Sequence, residues 1–273
     1  MIKKIFGLGI LLCPLFLHGA PARIVSLAPA LTKIVTLLGA EAQLVGVTSY
    51  CTIPSTCTAE TVATTIDVNM EKVLLLRPDL VLTSDLTSPE NRRMLEKLKI
   101  KTLHFPYARS FDDLCRDVEK MGQAVGRPDR AQQITDSARR ELARVRSRIP
   151  QQPRPPRIMA QIGTNPLWVV IPNTFLNDFI TFAGGVNIAA DMKSGIMTRE
   201  AALARNPDVI FIMLMGSMND DEKQQWEKYS ALNAVKTKKI FLLDQEKTCS
   251  PTPEDFVETL EKMLSLIYFS PNP

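Results

Sequence analysis

Two α/β lobes, each Rossmann-like with a parallel-rich central sheet, joined by one long rigid helix: this is the fold class the sequence predicts. Three observations predict it. A glutamate set seven residues ahead of a Pro-Asp pair and an apolar run occurs twice, at Glu71 with Pro78 and at Glu200 with Pro207, both displaced by the same 129 residues. Short apolar runs alternate with helical periodicity in both halves of the chain, which is the pattern of parallel βα units. Between the halves, residues 129–149 hold neither glycine nor proline and place Ala131, Ile134, Ala138, Leu142 and Val145 on one helical stripe.

The N-terminus stands apart from this plan. Lys3 and Lys4 precede an apolar run over residues 5–17 that ends in Ala20-Pro21-Ala22, the pattern of a secretory signal peptide occupying residues 1–22. The run is too short for a membrane helix, which needs about 20 apolar residues. Cys13 follows Leu11 and Leu12 where a lipid-attachment signal carries small residues, which argues against lipidation. Cleavage removes Lys3 and Lys4 and takes the formal charge from +4 to +2. A near-neutral exported chain offers a nucleic acid no electrostatic footprint, so that class of partner is set aside.

The elements follow in order. Residues 23–27 read as a strand and 30–38 as a helix with apolar positions at Leu31, Ile34, Val35 and Leu38, closing at Gly39; residues 45–47 form a short strand. The first copy of the repeat predicts a helix over 70–76, a break at Arg77-Pro78 and a strand over 80–83. A helix over 91–98 and a strand over 102–105 complete the lobe. The helix beginning at Pro128 is about 30 Å long at 1.5 Å per residue. Residues 150–156 carry four prolines and no other apolar residue, a stiff connector, and the alternation restarts at Arg157. The organisation is therefore a signal peptide over 1–22, a first lobe over 23–127, a linking helix over 128–150 and a second lobe over 151–273.

Glu71 and Glu200 each stand at a helix start, where a carboxylate is favoured by the macrodipole at a few tenths to about 1 kcal/mol. Capping alone explains one such residue. Two in equivalent places on separate lobes make a matched pair of acidic points that a two-fold partner can read.

The stretches RIVSLAPALTKIVTLLGA and VGVTSY, the two glutamate motifs, FAGGVNI over residues 182–188 and the single long helix together resemble class III periplasmic substrate-binding proteins of ABC importers, closest to the cobalamin and ferric-siderophore branch. The resemblance implies two lobes closing modestly on a metal-chelate cargo, a monomeric periplasmic protein, and docking of Glu71 and Glu200 to arginines of a transmembrane permease dimer. It also implies that no cofactor or catalysis is needed. At the positions where cobalamin binders of the family carry tryptophan, this chain has Thr65, Ser84 and Ser194, so the broad apolar walls for a corrin ring are missing. Tyr50 matches a family cleft tyrosine, and Trp168 in the PLW segment stands near a cleft aromatic, able to stack or to pack within its lobe.

The expected cleft floor is the start of the first helix, Pro29 and Ala30, whose free N–H groups suit an acceptor. Alignment with the family brings Tyr50-Cys51 and Cys249-Ser250-Pro251 to the cleft from opposite lobes, and two thiols there could meet a soft metal. The ordinary alternative pairs Cys51 with Cys57 in a small loop, buries Cys115 in a helical core and leaves Cys249 free. Once His18 is removed, His104 is the one histidine left, and its apolar strand points to a satisfied core role; a zinc or manganese site of imidazoles cannot be built from it. Asp220-Asp221-Glu222 reads as a solvated helix cap. No Ser-His-acid motif or Walker loop occurs, which leaves a thiol-dependent redox or hydrolytic enzyme around Cys51 or Cys249 as the alternative class, without an evident base.

Overall fold

The computed structural model describes residues 20–64, 67–213 and 219–269. Residues 1–19, which hold most of the expected signal peptide, and Thr65 lie outside the described residues. The first lobe runs β1 (Ile24–Ser26), α1 (Pro29–Leu37), β2 (Leu44–Thr48), β3 (Glu60–Ala63), α2 (Met70–Leu75), β4 (Leu80–Ser84), α3 (Pro89–Lys97) and β5 (Thr102–Phe105). Its five strands are all parallel in the order β3-β2-β1-β4-β5. β4 is buried along its whole length, as a parallel strand covered on both faces must be. The order reverses between β1 and β4, the switch point at which open α/β sheets bind ligands beyond the carboxyl ends of their strands.

Two helices follow: α4 (Phe111–Val125) and α5 (Pro128–Ser147). The second lobe runs β6 (Arg157–Gly163), β7 (Leu167–Val169), α6 (Phe175–Phe182), β8 (Val186–Asn187), β9 (Ile196–Met197), α7 (Arg199–Arg205), β10 (Val209–Ile212), α8 (Asn219–Glu227), α9 (Asn233–Lys236), β11 (Ile240–Leu242), α10 (Gln245–Cys249) and α11 (Pro253–Leu264). Its sheet has the order β11-β10-β6-β7-β9, with β8 also on β6. β11, β10 and β6 are parallel, whereas β7 runs antiparallel to both its neighbours.

The link between the lobes differs from the single helix expected. α4 and α5 lie antiparallel, and both pass through both cores. Phe111, Leu114 and Cys115 of α4 pack with Ala138, Leu142 and Val145 of α5 around Phe179, Phe211 and Phe256 of the second lobe. Val118, Met121 and Val125 pack with Ala131 and Ile134 around Ile24, Leu80 and Phe105 of the first. The apolar period of α4 is as clear as that of α5, and Gly126, left-handed at φ 74°, turns the chain between them. Fully burying such side chains is worth about 1.5–3 kcal/mol each, so neither helix is a free strut.

The repeat recognised in the sequence is a repeated frame in space. Asn69 and Thr198 cap α2 and α7 through Lys72 N–H (2.9 Å) and Ala201 N–H (3.1 Å). Arg77 and Asn206 are both left-handed at φ 44°, each just before its proline. Asp79 accepts from the backbone N–H of Arg23 (3.0 Å) and Asp208 from that of Arg157 (2.9 Å). The same two arginines reach back to the ends of the helices: Arg23 Nε donates to Leu76 O (2.8 Å) and Arg157 Nη2 to Arg205 O (2.8 Å). The matched arginines extend the repeat to the strand that opens each lobe.

Candidate functional site

A cleft of about 580 Å³ opens between the lobes. From the first lobe it is lined by Pro29, Lys33, Thr36 and Leu37 on one face of α1, and by Tyr50 and Thr52 beyond the carboxyl end of β2. From the second it is lined by Gln245, Glu246, Cys249, Ser250 and Thr252, with Glu254 and Asp255 in the first turn of α11. Pro29 stands at the first position of α1, whose N-terminus has no side-chain cap and no acid in its first turn. The N-terminal end of α1 therefore carries its dipole uncompensated beside the cleft.

The opposite wall is compensated. Thr252 and Asp255 form a capping box at the start of α11: Thr252 Oγ1 accepts from Asp255 N–H (3.1 Å), and Asp255 Oδ2 accepts from Thr252 N–H (2.9 Å). Asp255 also pairs with Lys33 Nζ at 2.9 Å, an ion pair reaching from one lobe to the other. Burial pushes the Asp255 carboxyl up, but the Thr252 hydrogen bonds and the Lys33 ammonium outweigh it and hold the group below the usual carboxylate range. The cleft is thus polarised, with Lys33 and the bare end of α1 on one wall and Glu246, Glu254 and Asp255 on the other.

Of the residues expected in the site, Pro29, Tyr50 and Cys249 line this cleft. Tyr50 is largely exposed. Ala30 is half-buried beside Pro29 and is not among the lining residues. Cys51 is turned away: its Sγ lies 3.1 Å from Thr32 Oγ1 and 3.2 Å from Thr48 Oγ1, under the first turn of α1. Ser84 is buried at the end of β4, where its Oγ accepts from Leu86 N–H (3.3 Å). Ser194 is exposed and accepts from Ile196 N–H (3.4 Å). Trp168 lies on the antiparallel strand β7, 42% exposed, over a bed of two glycines: a Cβ at Gly163 would come 3.0 Å from its Cδ1 and one at Gly195 3.1 Å from its Cε3. It stands beside the carboxyl end of β6 rather than in the cavity of Tyr50. Glu71 and Glu200 are both exposed at the second position of their helices.

Three expectations are corrected. No Cys51–Cys57 bridge forms: both are free, Cys57 Sγ pointing to Glu41 O at 3.6 Å while Cys51 is held by the two threonines. His104 is satisfied but not a core residue. It is half-buried, with Nδ1 3.1 Å from Thr83 Oγ1 and Nε2 3.2 Å from Asp85 Oδ1, because β5 is the edge strand of its sheet. Glu222 is no solvated cap; it is 6% exposed and bonded to Gln161 and Arg199.

The thiols are poorly set for nucleophilic chemistry. Burial pushes Cys249 up, and its neighbours are Thr248 and Met213 O rather than a base. Cys115 is driven up to about 12 by burial in α4. A nucleophilic thiol needs the opposite shift. Sequence reasoning missed Lys33 and Asp255, although both carried a signal: Lys33 falls one turn after Pro29 on the same helix face, and Thr-Pro-Glu-Asp at 252–255 is a capping box.

A family model described as periplasmic binding protein matches residues 24–247. The chain is 27% identical over 255 residues to the ABC transporter substrate-binding lipoprotein YvrC of Bacillus subtilis, covering 91% of this chain and 80% of that protein. It is 29% identical over 212 residues to the vitamin B12-binding protein of Yersinia pestis, covering 76% and 75%. The crystal structure of the vitamin B12-binding protein BtuF of Vibrio cholerae superposes with a TM-score of 0.78 at 25% identity, covering 90% of this chain and 96% of that one.

Proposed function

The chain belongs to the periplasmic binding protein family, and from that premise we propose that it is an exported solute-binding protein that captures a metal-chelate nutrient between its lobes and hands it to an ABC importer. The cargo class is that of a corrinoid, a ferric siderophore or haem. The observation that carries the reading is the interlobe cleft, where Pro29 and Tyr50 of one lobe meet Cys249 of the other. Ligand pockets of this size lie preferentially at lobe interfaces, with a few convergent polar groups among apolar ones. The relatives named for vitamin B12 binding and for ABC transport support the same class.

In this reading the bare end of α1 and Lys33 receive an acceptor group of the cargo, and Tyr50 covers it. Trp168, on its glycine bed, offers one ring face for stacking. Glu71 and Glu200 project from matched frames and dock to a paired permease. The signal peptide over residues 1–22 directs the chain to the periplasm. The lobes follow the boundaries 23–127 and 151–273, with 128–150 between them, and the protein works as a monomer.

The test is thermal unfolding of the mature protein with cobalamin, cobinamide, haem and a panel of ferric siderophores. A ligand at ~100 times its dissociation constant adds about 2.7 kcal/mol to stability. A shift with one chelate, lost in Tyr50→Ala, is expected; no shift with any member of the panel overturns the metal-chelate reading. Replacing Glu71 and Glu200 together with Ala is expected to leave that shift intact and to abolish uptake in cells. Uptake that persists in the double variant removes the docking assignment.

A further inference from the structure

The residue before Glu200 does something its counterpart before Glu71 does not. In the first frame Met70 packs against the apolar cluster of Val25, Val73 and Val81. In the second, Arg199 opens α7 and turns inward. Its guanidinium lies 4.6 Å from the ring centre of the fully buried Trp226, and its Nη2 donates to Glu222 Oε1. Glu222 Oε1 also accepts from Gln161 Nε2 at 2.9 Å. Gln161, with no exposed surface, donates from the same nitrogen to Gly163 O (3.0 Å), and its Oε1 accepts from Trp226 Nε1 (2.7 Å). Gly163 is the bed on which Trp168 lies. An unbroken line of contacts therefore runs from the exposed indole through Gly163, Gln161 and Glu222 to Arg199, the neighbour of Glu200.

Stability does not call for this arrangement. A buried ion pair is often matched or bettered by apolar residues of similar volume, and the first frame uses an apolar residue at the equivalent place. Arg199 Nη1 is moreover buried with no hydrogen-bond partner among the described residues, a cost that a simple anchor would not carry. What a network with directed hydrogen bonds supplies is geometry. The cation on Trp226 and the three bonds of the Gln161 amide tie the start of α7 to β6 and α8.

We infer that Gln161, Glu222 and Arg199 are positioning residues that couple the indole bed at Trp168 to the first turn of α7, so that pressure of cargo on Trp168 changes how Glu200 is presented. The functional half of this rests on the proposed docking role of Glu200. The coupling itself can be measured without cargo or permease.

The experiment is a double-mutant cycle read by native-state amide exchange on the full mature chain. Gly163→Ala places a methyl 3.0–3.3 Å from Trp168 atoms; any effect that instead passes through the pairing of Trp168 with Ile196 on β9 is independent of Glu222, and the cycle separates the two routes. The substitution is expected to speed exchange of the Ala202 and Leu203 amides at least fivefold, while Val73 in the matching helix of the first lobe stays as it was. Glu222→Gln, which removes the charge that draws Arg199 in, is expected to do the same, and the double variant to be no faster than Glu222→Gln alone, because the ionic step of the line is already lost. Unchanged α7 exchange in Gly163→Ala, or effects that multiply in the double variant, overturns the coupling and leaves Glu222 a local anchor of α8. If Glu222→Gln does not fold, Arg199→Lys, which keeps the charge and loses the planar fork, takes its place in the cycle. Uptake that survives Glu200→Ala would remove the docking reading and leave the exchange result standing, so the two failures are distinguishable.

Discussion

The two frames that present Glu71 and Glu200 share a backbone and differ in what holds it. Both have a polar N-cap, a left-handed residue before proline, an aspartate closing on the arginine at the head of the lobe's first strand, and that arginine capping the helix end. The first is anchored by Met70 on an apolar cluster, the second by Arg199 on a buried carboxylate. Asp79 is bonded by the N–H groups of Ala22 and Arg23, whereas Asp208 adds the Arg154 guanidinium (2.7 and 3.0 Å) and Asn233 (3.1 Å). The same loop geometry can thus rest on dispersion or on charge. The choice decides which perturbations reach the exposed glutamate.

The largest expected contrast is between Glu222→Ala and Met70→Ala. Removing the carboxylate leaves the Arg199 guanidinium without its ion-pair partner and Gln161 short of one hydrogen bond, and is expected to cost about 3–5 kcal/mol. Truncating the partly buried Met70 is expected to cost roughly 2 kcal/mol, at the low end for core methionines. Chemical denaturation of both variants measures the gap. Equal losses would mean that the ionic anchor is no more than packing.

Acid sharpens the comparison next. Hydrogen bonds from Arg154, the Arg157 N–H and Asn233 hold Asp208 at about 2, against the upward push of burial. A carboxylate lowered in the folded state stabilises above its unfolded value, near 4, and that contribution is lost as pH falls toward 2. Asp208→Asn is therefore expected to lower stability by about 1–3 kcal/mol at pH 7 and by little at pH 2. Asp79→Asn, which gives up bonds to two amides, is expected to cost about 1 kcal/mol at pH 7. Denaturant midpoints across pH 2–7 decide whether the second frame is the more acid-sensitive.

The smallest effect lies between the frames. Lys33 and Asp255 join the lobes across a partly solvated cleft, and such pairs contribute only about 0–1 kcal/mol. Lys33→Met is expected to leave global stability nearly unchanged and to widen the lobe separation seen by small-angle scattering. An unchanged scattering profile would show that α4 and α5 set the opening without the latch.

Much of this was legible in the sequence. The repeat named both glutamates and the elements around them because Glu, Pro and Asp act locally, through dipole, ring and side-chain cap. The stripe from Ala131 to Val145 named α5 for the same reason. The second bridging helix was not separately assigned, although Phe111, Leu114, Cys115, Val118, Met121 and Val125 show the helical period, since a period says which residues are buried but not in which lobe. The site was legible only in part. Pro29, Tyr50 and Cys249 converge on the cleft, but Cys51, one residue from Tyr50, is claimed by Thr32 and Thr48. Glu222 looked like surface because a carboxylate in an acidic run normally is; its partners Gln161 and Arg199 lie 61 and 23 residues away, beyond any local pattern.

The path of α4 and α5 also bears on the order in which the protein can assemble. A chain that emerges from its N-terminus completes β5 with the core of the first lobe still open, because Val118, Met121, Ala131 and Ile134 have yet to arrive. By the time they do, the front half of α4 has emerged with Phe111 and Leu114 facing a lobe that does not exist, since their partners Phe179 and Phe256 come some 70 to 140 residues later. The second core cannot close without these residues of the first half, and a nascent chain stopped at the proline connector would carry a completed first core beside an uncovered apolar stripe. Dividing this protein at residues 150–156 should therefore yield not two domains but one closed lobe with a bare stripe and one lobe with an open core.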